Sequence, residues 1–174
     1  NPPLQKNRKR SAFITLKHRE RCDPPRYGSS LLTSALMVLP SARPLKANDE
    51  LLAASNADWL APQLFDSANL AADERMRLDG ETGRIAAELT ARPVSTVKDP
   101  RMCVTYSHWL PKFPHPVILL VHRNPLAIAR SLQSRNNCPI ATGLALWEFY
   151  LRASFRAARG QHCMVLDYDV LMAS

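Results

Sequence analysis

The most regular pattern in the chain is a run of apolar residues without alternation at 117–121, followed by polar residues and then by helical periodicity. Such a run is typical of a strand that is buried on both faces in a parallel sheet. Asn124 is a favoured N-cap and Pro125 suits the first helical turn, so we expect a helix over 125–136. The pattern therefore predicts a strand and a helix joined by a short turn, and the turn contains Arg123.

Other segments repeat this alternation of strand and helix. The pattern predicts further strands at 12–16, 94–98 and 163–166, and further helices at 29–39, 49–57, 85–91 and 142–159. Gly160 is expected to end the last of these helices. Residues 58–83 stay undecided, because Gly80 and Gly83 interrupt the helix that begins in this segment. The alternation favours an α/β fold with a parallel sheet and right-handed crossovers.

Length and charge narrow the possibilities further. The 174 residues suit a single domain, and 46% hydrophobic residues can fill its core. A net charge of +8 favours an anionic ligand or partner, although much of the positive charge lies between residues 6 and 26. We expect residues 1–10 to form a flexible basic segment and residues 11–174 to form one domain.

Cysteine and histidine spacing argues against a metal site or a disulfide framework. The four cysteines are widely spaced and include no CxxC pair, as in a reduced cytoplasmic protein. His108, His115 and His122 do not have metal-ligand spacing on any one element. No apolar run approaches the ~18 residues of a membrane span, and the basic N-terminus lacks an apolar signal core. We therefore expect a cytoplasmic protein without a membrane span.

Arg123 and Ser131 are the strongest candidates for ligand binding. Arg123 follows the predicted strand, and ligands in open α/β sheets bind beyond the carboxyl ends of strands, where helix N-termini point N–H groups at anions. A long cation at this place needs an anionic partner or solvent. Ser131 lies about two turns into the helix, on a face of small residues with Ala127 and Ser134. That face suits the close approach of a ligand or of another helix.

Three segments resemble those of the P-loop sulfotransferases, which use 3′-phosphoadenosine 5′-phosphosulfate (PAPS), in particular their bacterial and tyrosylprotein branches. The segments are RYGSSLL at 26–32, VKDPR at 97–101 with WLP at 109–111, and VILLVHRNPLAIARSL at 117–132. They resemble, in the family's order, the 5′-phosphosulfate loop, a strand end and the 3′-phosphate segment. NDELL, LALWE and LDYD, at 48–52, 144–148 and 166–169, are also similar to family segments. The resemblance covers most of residues 26–174.

The resemblance implies a three-layer α/β/α domain with a central parallel sheet. It implies transfer of a sulfuryl group from PAPS to a hydroxyl or amine acceptor, without a metal. Arg123 and Ser131 would hold the 3′-phosphate, and Lys98 would offset charge on the bridging oxygen as its bond to sulfur breaks. Arg26 would both bind the 5′-phosphosulfate and assist catalysis. The loop that binds this group would consist of Arg26, Tyr27, Gly28, Ser29, Ser30 and Leu31.

Several features depart from the family pattern. Tyr27 replaces a small serine, and the charged segment 17–25 separates the predicted strand from the loop. The glutamate of the bacterial GYxE-like segment has no counterpart. Glu50 is therefore the candidate base, with Asp49 beside it, although both could simply open a helix. The chain ends soon after YDVL, so we expect a truncated or degenerate member.

Two other function classes stay open. A non-catalytic protein could keep the phosphate site and bind adenosine 3′,5′-bisphosphate or another polyanion without turnover. A P-loop kinase-like phosphotransferase is disfavoured, because the chain has no GxxxxGK[ST] motif. Nucleic-acid binding through the basic tail is a weaker third possibility. The sequence leaves open the oligomeric state and the acceptor, which could be a carbohydrate, a peptide, a lipid or a small alcohol.

Overall fold

The computed structural model describes residues 42–173. This part of the chain is mostly helical with one small parallel sheet, so it is a mixed α/β structure. Its elements in chain order are α1 (Ala42–Ala54), α2 (Ala72–Thr90), α3 (Met102–Trp109), β1 (Val117–His122), α4 (Pro125–Asn136), α5 (Ile140–Ala158), β2 (His162–Asp167) and α6 (Tyr168–Ala173). The predicted flexible segment at 1–10, strand at 12–16 and helix at 29–39 lie outside the described residues.

The unit formed by β1 and α4 confirms the sequence-based prediction. β1 ends at His122, and α4 has the predicted bounds. The Asn124 side chain accepts a hydrogen bond of 3.1 Å from the backbone N–H of Ala127, as an N-cap should. Asn137, at φ 52°, ends the helix in the left-handed conformation. The apolar run and the Asn-Pro pair were sufficient signals here.

The two strands pair in parallel through a helical connection made of α4 and α5. Val117 lies opposite His162, and the register continues to His122 opposite Asp167. α4 and α5 approach closely at Gly143, which has no side chain. A Cβ added at Gly143 would lie only 2.9 Å from the Cα of Ala129. This crossover brings the carboxyl ends of both strands to one edge of the sheet.

α5 lies within two residues of the predicted 142–159, whereas two other helices differ more from their predicted bounds. α1 begins at Ala42 and not at residue 49, and α2 runs without a break through Gly80 and Gly83. Each glycine costs about 1 kcal/mol of helix propensity, and burial of one face of α2 offsets that cost. The buried residues of this face are Leu78, Thr82, Ile85, Ala86 and Leu89. None of the helices within residues 42–173 is both long and apolar enough to cross a membrane.

The prediction of a strand at 94–98 is wrong, because only Val97 makes a bridge. Two polar residues near it, Ser95 and Asp99, bond locally, and such bonds compete with a strand ladder. Ser95 donates from its hydroxyl to the carbonyl oxygen of Leu89 at 2.7 Å. The carboxylate of Asp99 accepts from the backbone N–H of Arg101 at 3.0 Å and turns the chain into α3, which the sequence analysis did not predict.

The hydrophobic core lies among α1, α2, α3 and β1. Its largest side chains of negligible exposure are Trp109, Leu51, Leu78, Met102 and Ile118. The second strand of the sheet is different, because Met164 and Val165 of β2 are 50% and 52% exposed. Within residues 42–173 the core therefore covers β1 better than β2.

Candidate functional site

The parallel register places the residues that follow the two strands side by side. His122 ends β1 opposite Asp167, which ends β2. Arg123 therefore lies next to the first residues of α6, Tyr168 and Asp169. We call the five residues His122, Arg123, Asp167, Tyr168 and Asp169 the strand-end cluster. It occupies the edge at which open α/β sheets bind ligands.

Arg123 is held on two sides within the strand-end cluster. The carbon of its guanidinium lies 4.7 Å from the centroid of the Tyr168 ring, which is cation–π distance. Its Nε lies 3.3 Å from Oδ1 of Asp169. The Arg123 side chain is still 38% exposed, so part of it remains in contact with solvent. The site is a positioned but incompletely neutralised cation.

The remaining pair of the strand-end cluster is looser. Nε2 of His122 lies 3.7 Å from Oδ2 of Asp167. The pKa of Asp167 is lowered mainly because its carboxylate accepts the backbone N–H of Val170, with the N–H of Asp169 adding to the effect. Asp167 thus fixes the first turn of α6 and with it the position of Asp169.

Ser131 lies on the side of α4 that faces away from α5. The contact with α5 is made at Ala129, which is fully buried. At 3.6 residues per turn, Ser131 is rotated about 200° from Ala129, and its side chain is partly exposed. The face of small residues is therefore not the surface that α4 packs against α5. The sequence left open whether a ligand or another helix approaches this face. The structure shows that α5 is not that helix.

Lys98 lies beside a fully buried carboxylate. It is partly exposed, whereas Asp99 has 0% exposure. Oδ2 of Asp99 accepts from Nδ2 of Asn48 at 2.8 Å, and Oδ1 accepts from the Nε of Arg101 at 2.8 Å. Because both carboxylate oxygens are bound inside the protein, the backbone on the carboxyl side of Lys98 is fixed.

Asn48 connects the KDPR segment to α1 and to α3. Its Oδ1 accepts from the hydroxyl of Thr105 at 2.7 Å and from the indole N–H of Trp109 at 2.8 Å. We call Asn48, Asp99, Arg101, Thr105 and Trp109 the buried polar network. The network joins residues of the segments NDELL, KDPR and WLP.

Glu50 lies within α1 and is bound by two cations. Its carboxylate contacts Arg77 at 2.9 Å and Lys46 at 3.4 Å. The hydrogen bond from Arg77 is the largest cause of a lowered pKa for Glu50, and Lys46 acts in the same direction. A carboxylate with a lowered pKa accepts a proton less readily. Asp49 is paired with Arg101. Neither carboxylate opens the helix, because α1 begins at Ala42.

The candidate 5′-phosphosulfate loop, residues 26–31, lies outside the described residues. Within residues 42–173, no group of three or more His, Cys, Asp and Glu side chains is arranged to hold a metal ion. The structure brings Arg123 to the carboxyl edge of the sheet and fixes Asp99, the residue after Lys98, in the buried polar network. It leaves Glu50 in a separate ion-pair cluster with Arg77 and Lys46.

Local sequence patterns do not identify Tyr168 and Asp169 as partners of Arg123. A usable signal was present, because two parallel strands that end together place their following residues side by side. The role of Asn48 gave no comparable signal, since an asparagine in a helix is more often exposed.

Comparisons with protein-family models, with curated proteins and with solved structures found no match for this chain.

Proposed function

We propose that this chain is a PAPS-dependent sulfotransferase that binds the 3′-phosphate of its nucleotide with Arg123 and Ser131. The observation that carries the proposal is the β1–α4 unit. It presents a partly exposed arginine at the carboxyl edge of a parallel sheet, an asparagine-capped helix, and a serine on a helix face that α5 does not cover. A cation, helix N-terminal N–H groups and a hydroxyl together suit a phosphate.

In the proposed reaction, the bond between sulfur and the bridging oxygen of PAPS breaks while a bond forms between sulfur and the acceptor oxygen or nitrogen. Lys98 would stabilise the negative charge that develops on the bridging oxygen. Residues 26–31, with Arg26, would hold the 5′-phosphosulfate. The acceptor proton would pass to a base, for which Glu50 is the candidate. Catalysis of this kind depends on positioning and charge neutralisation.

The buried polar network supports the proposed role of Lys98. A lysine that stabilises a transition state must be held in a defined position, and a rigid backbone reduces the reorganisation that this requires. Asn48 and Arg101 bind the two oxygens of Asp99 directly after Lys98. The proposal therefore assigns the network a positioning function besides its contribution to stability.

The proposal includes a three-layer domain in which the described sheet is part of a larger one. Parallel sheets are normally covered on both faces, and a two-stranded sheet is marginal alone. Met164 and Val165 are half exposed on β2. We expect further strands and helices of the proposed domain to cover this surface. In the full chain with its other cysteines replaced, Cys163 of β2 should then be alkylated far more slowly than in urea, whereas equal rates would contradict this arrangement.

A second candidate function, a non-catalytic binder of the same nucleotide, is favoured by the contacts of Glu50. Its ion pairs with Arg77 and Lys46 lower its pKa and weaken it as a base. Loss of a general base can reduce a rate by about 10² to 10⁴. We therefore expect slow turnover at best from this chain.

Two assays separate the candidates. Thermal shift with adenosine 3′,5′-bisphosphate, AMP and ATP–Mg²⁺ identifies the nucleotide class, because a ligand that binds only the native state raises apparent stability. A transfer assay with radiolabelled PAPS and pooled acceptors distinguishes a catalyst from a binder. Preference for the bisphosphate without transfer would favour the binder. Preference for ATP–Mg²⁺ would contradict both and favour a kinase-like protein.

A further inference from the structure

The arginine assigned to the 3′-phosphate already has an anionic partner in the structure. Nε of Arg123 lies 3.3 Å from Oδ1 of Asp169, and the two side chains are 38% and 54% exposed. Exposed ion pairs of this kind contribute little stability, because solvent screens them. A phosphate group that reached Arg123 would therefore meet a carboxylate that is weakly bound and can be displaced.

We propose that Asp169 sets the affinity of this site by competing with the nucleotide 3′-phosphate for Arg123. This inference rests on the proposed function, because it assigns a regulatory role beside the same arginine. Asp169 acts in two ways: it occupies an edge of the guanidinium, and its negative charge opposes the approach of a phosphate dianion. An asparagine at this position removes the negative charge, so the phosphate then competes only with a neutral amide oxygen, which accepts more weakly from Nε.

Tyr168 has the opposite role, because it positions the arginine without competing for the ligand. A guanidinium is planar, and it binds aromatic rings through its face and oxyanions through the N–H groups at its edge. The Tyr168 ring lies at cation–π distance from the guanidinium carbon, whereas Asp169 contacts Nε. A phosphate at the edge therefore competes with Asp169 and leaves the contact with Tyr168 in place.

The test is to titrate adenosine 3′,5′-bisphosphate, AMP and inorganic phosphate into the full-length parent and Asp169→Asn proteins. A matched control is Glu148→Gln, since Glu148 is 55% exposed and pairs with Arg152 on α5 at 2.6 Å. Asp169→Asn should bind the bisphosphate about three- to ten-fold more tightly than the parent. The affinity for AMP should change less than about two-fold, and Glu148→Gln should match the parent. A response to inorganic phosphate equal to that of the bisphosphate would favour free phosphate as the ligand and overturn the proposal.

Two further variants keep the test decisive. Tyr168→Phe should retain the affinity for bisphosphate and Tyr168→Ala should weaken it about three-fold or more, because only the alanine variant lacks the ring. If Asp169→Asn leaves affinity unchanged or weakens it while the parent still prefers bisphosphate over AMP, the role of Asp169 is refuted and the proposed function stands. If neither protein distinguishes the two nucleotides, the proposed function fails and the inference fails with it.

Discussion

Replacing Asn48 with alanine removes the central residue of the buried polar network. Asn48 has 0% exposure, and it donates to Asp99 and accepts from Thr105 and Trp109 over 2.7 to 2.8 Å. Thr105 keeps a second acceptor in the carbonyl oxygen of Arg101 at 3.3 Å, so it loses least. The indole N–H and one carboxylate oxygen lose these partners inside the protein. An unsatisfied buried group costs about 1–3 kcal/mol, and a charged one more, so we expect a loss of about 3–5 kcal/mol.

Urea unfolding, followed by tryptophan fluorescence and circular dichroism, measures this loss as a change in the free energy of unfolding. Asn69→Ala is the matched control, because Asn69 is exposed in a short 3₁₀ turn and should change stability by less than about 0.5 kcal/mol. Asn48→Asp provides a second test. It replaces the donor to Asp99 with a carboxylate, so we expect a larger loss at pH 7 than for alanine, partly recovered as the pH falls.

The reasoning is refuted if Asn48→Ala lowers the free energy of unfolding by less than about 1 kcal/mol, since that would mean that water or rearranged side chains satisfy the partners. A loss no larger than that of Asn69→Ala would also remove the structural support for a fixed Lys98.

Three other predictions concern the packing at Gly143, the protonation of His108 and the role of Lys98. Gly143→Ala should destabilise by about 1–3 kcal/mol in urea unfolding, because the added Cβ would lie 2.9 Å from the Cα of Ala129. Burial and the charge of Lys112 lower the pKa of His108 in the folded protein. As the pH falls below about 6.5, the unfolded chain therefore binds a proton before the folded protein does, and stability should fall. Urea unfolding at pH 7.5 and pH 5.5 measures this loss. Lys98→Ala should spare nucleotide binding and abolish any sulfuryl transfer, as radiolabelled PAPS would show.

Each of these predictions has a control and a contrary outcome. Gly80→Ala should stabilise the protein slightly, because a Cβ there meets nothing within 4 Å; equal effects at Gly80 and Gly143 would contradict the close approach of α4 and α5. His108→Gln should flatten the acid dependence, and an unchanged slope would assign it to other groups. If Lys98→Ala weakened nucleotide binding and left turnover at saturation unchanged, Lys98 would be a binding residue and not a catalytic one.

The part of the fold that the sequence predicted well is the part with unambiguous local signals. In the β1–α4 unit, an apolar run, an asparagine cap and a proline at the first turn all favour the same structure. The sequence predicts a helix at 85–91 but leaves the first part of α2 undecided, because Gly80 and Gly83 lower local helix propensity. Burial of one helix face decides that segment, and burial cannot be read from local preference.

The candidate site was predictable only where it depends on a single segment. Arg123 follows directly from the strand that precedes it, whereas its contacts with Tyr168 and Asp169 depend on how two distant strands pair. The predicted strand at 94–98 failed because Ser95 and other polar groups bond locally, which a pattern of β-branched residues does not reveal. Long-range strand pairing and side-chain hydrogen bonds therefore could not be predicted from the local sequence.

The central claim is that Arg123 recognises a 3′-phosphate, and isothermal titration calorimetry with two nucleotides and three proteins tests it most directly. Adenosine 3′,5′-bisphosphate and AMP differ by that phosphate, and Arg130→Ala controls for loss of an exposed arginine on α4. The parent and Arg130→Ala should both prefer the bisphosphate by about ten-fold or more, from a charged contact worth about 1.5–3 kcal/mol. Arg123→Ala should bind both nucleotides alike. Equal affinities in the parent, or a preference that survives in Arg123→Ala, would contradict the account.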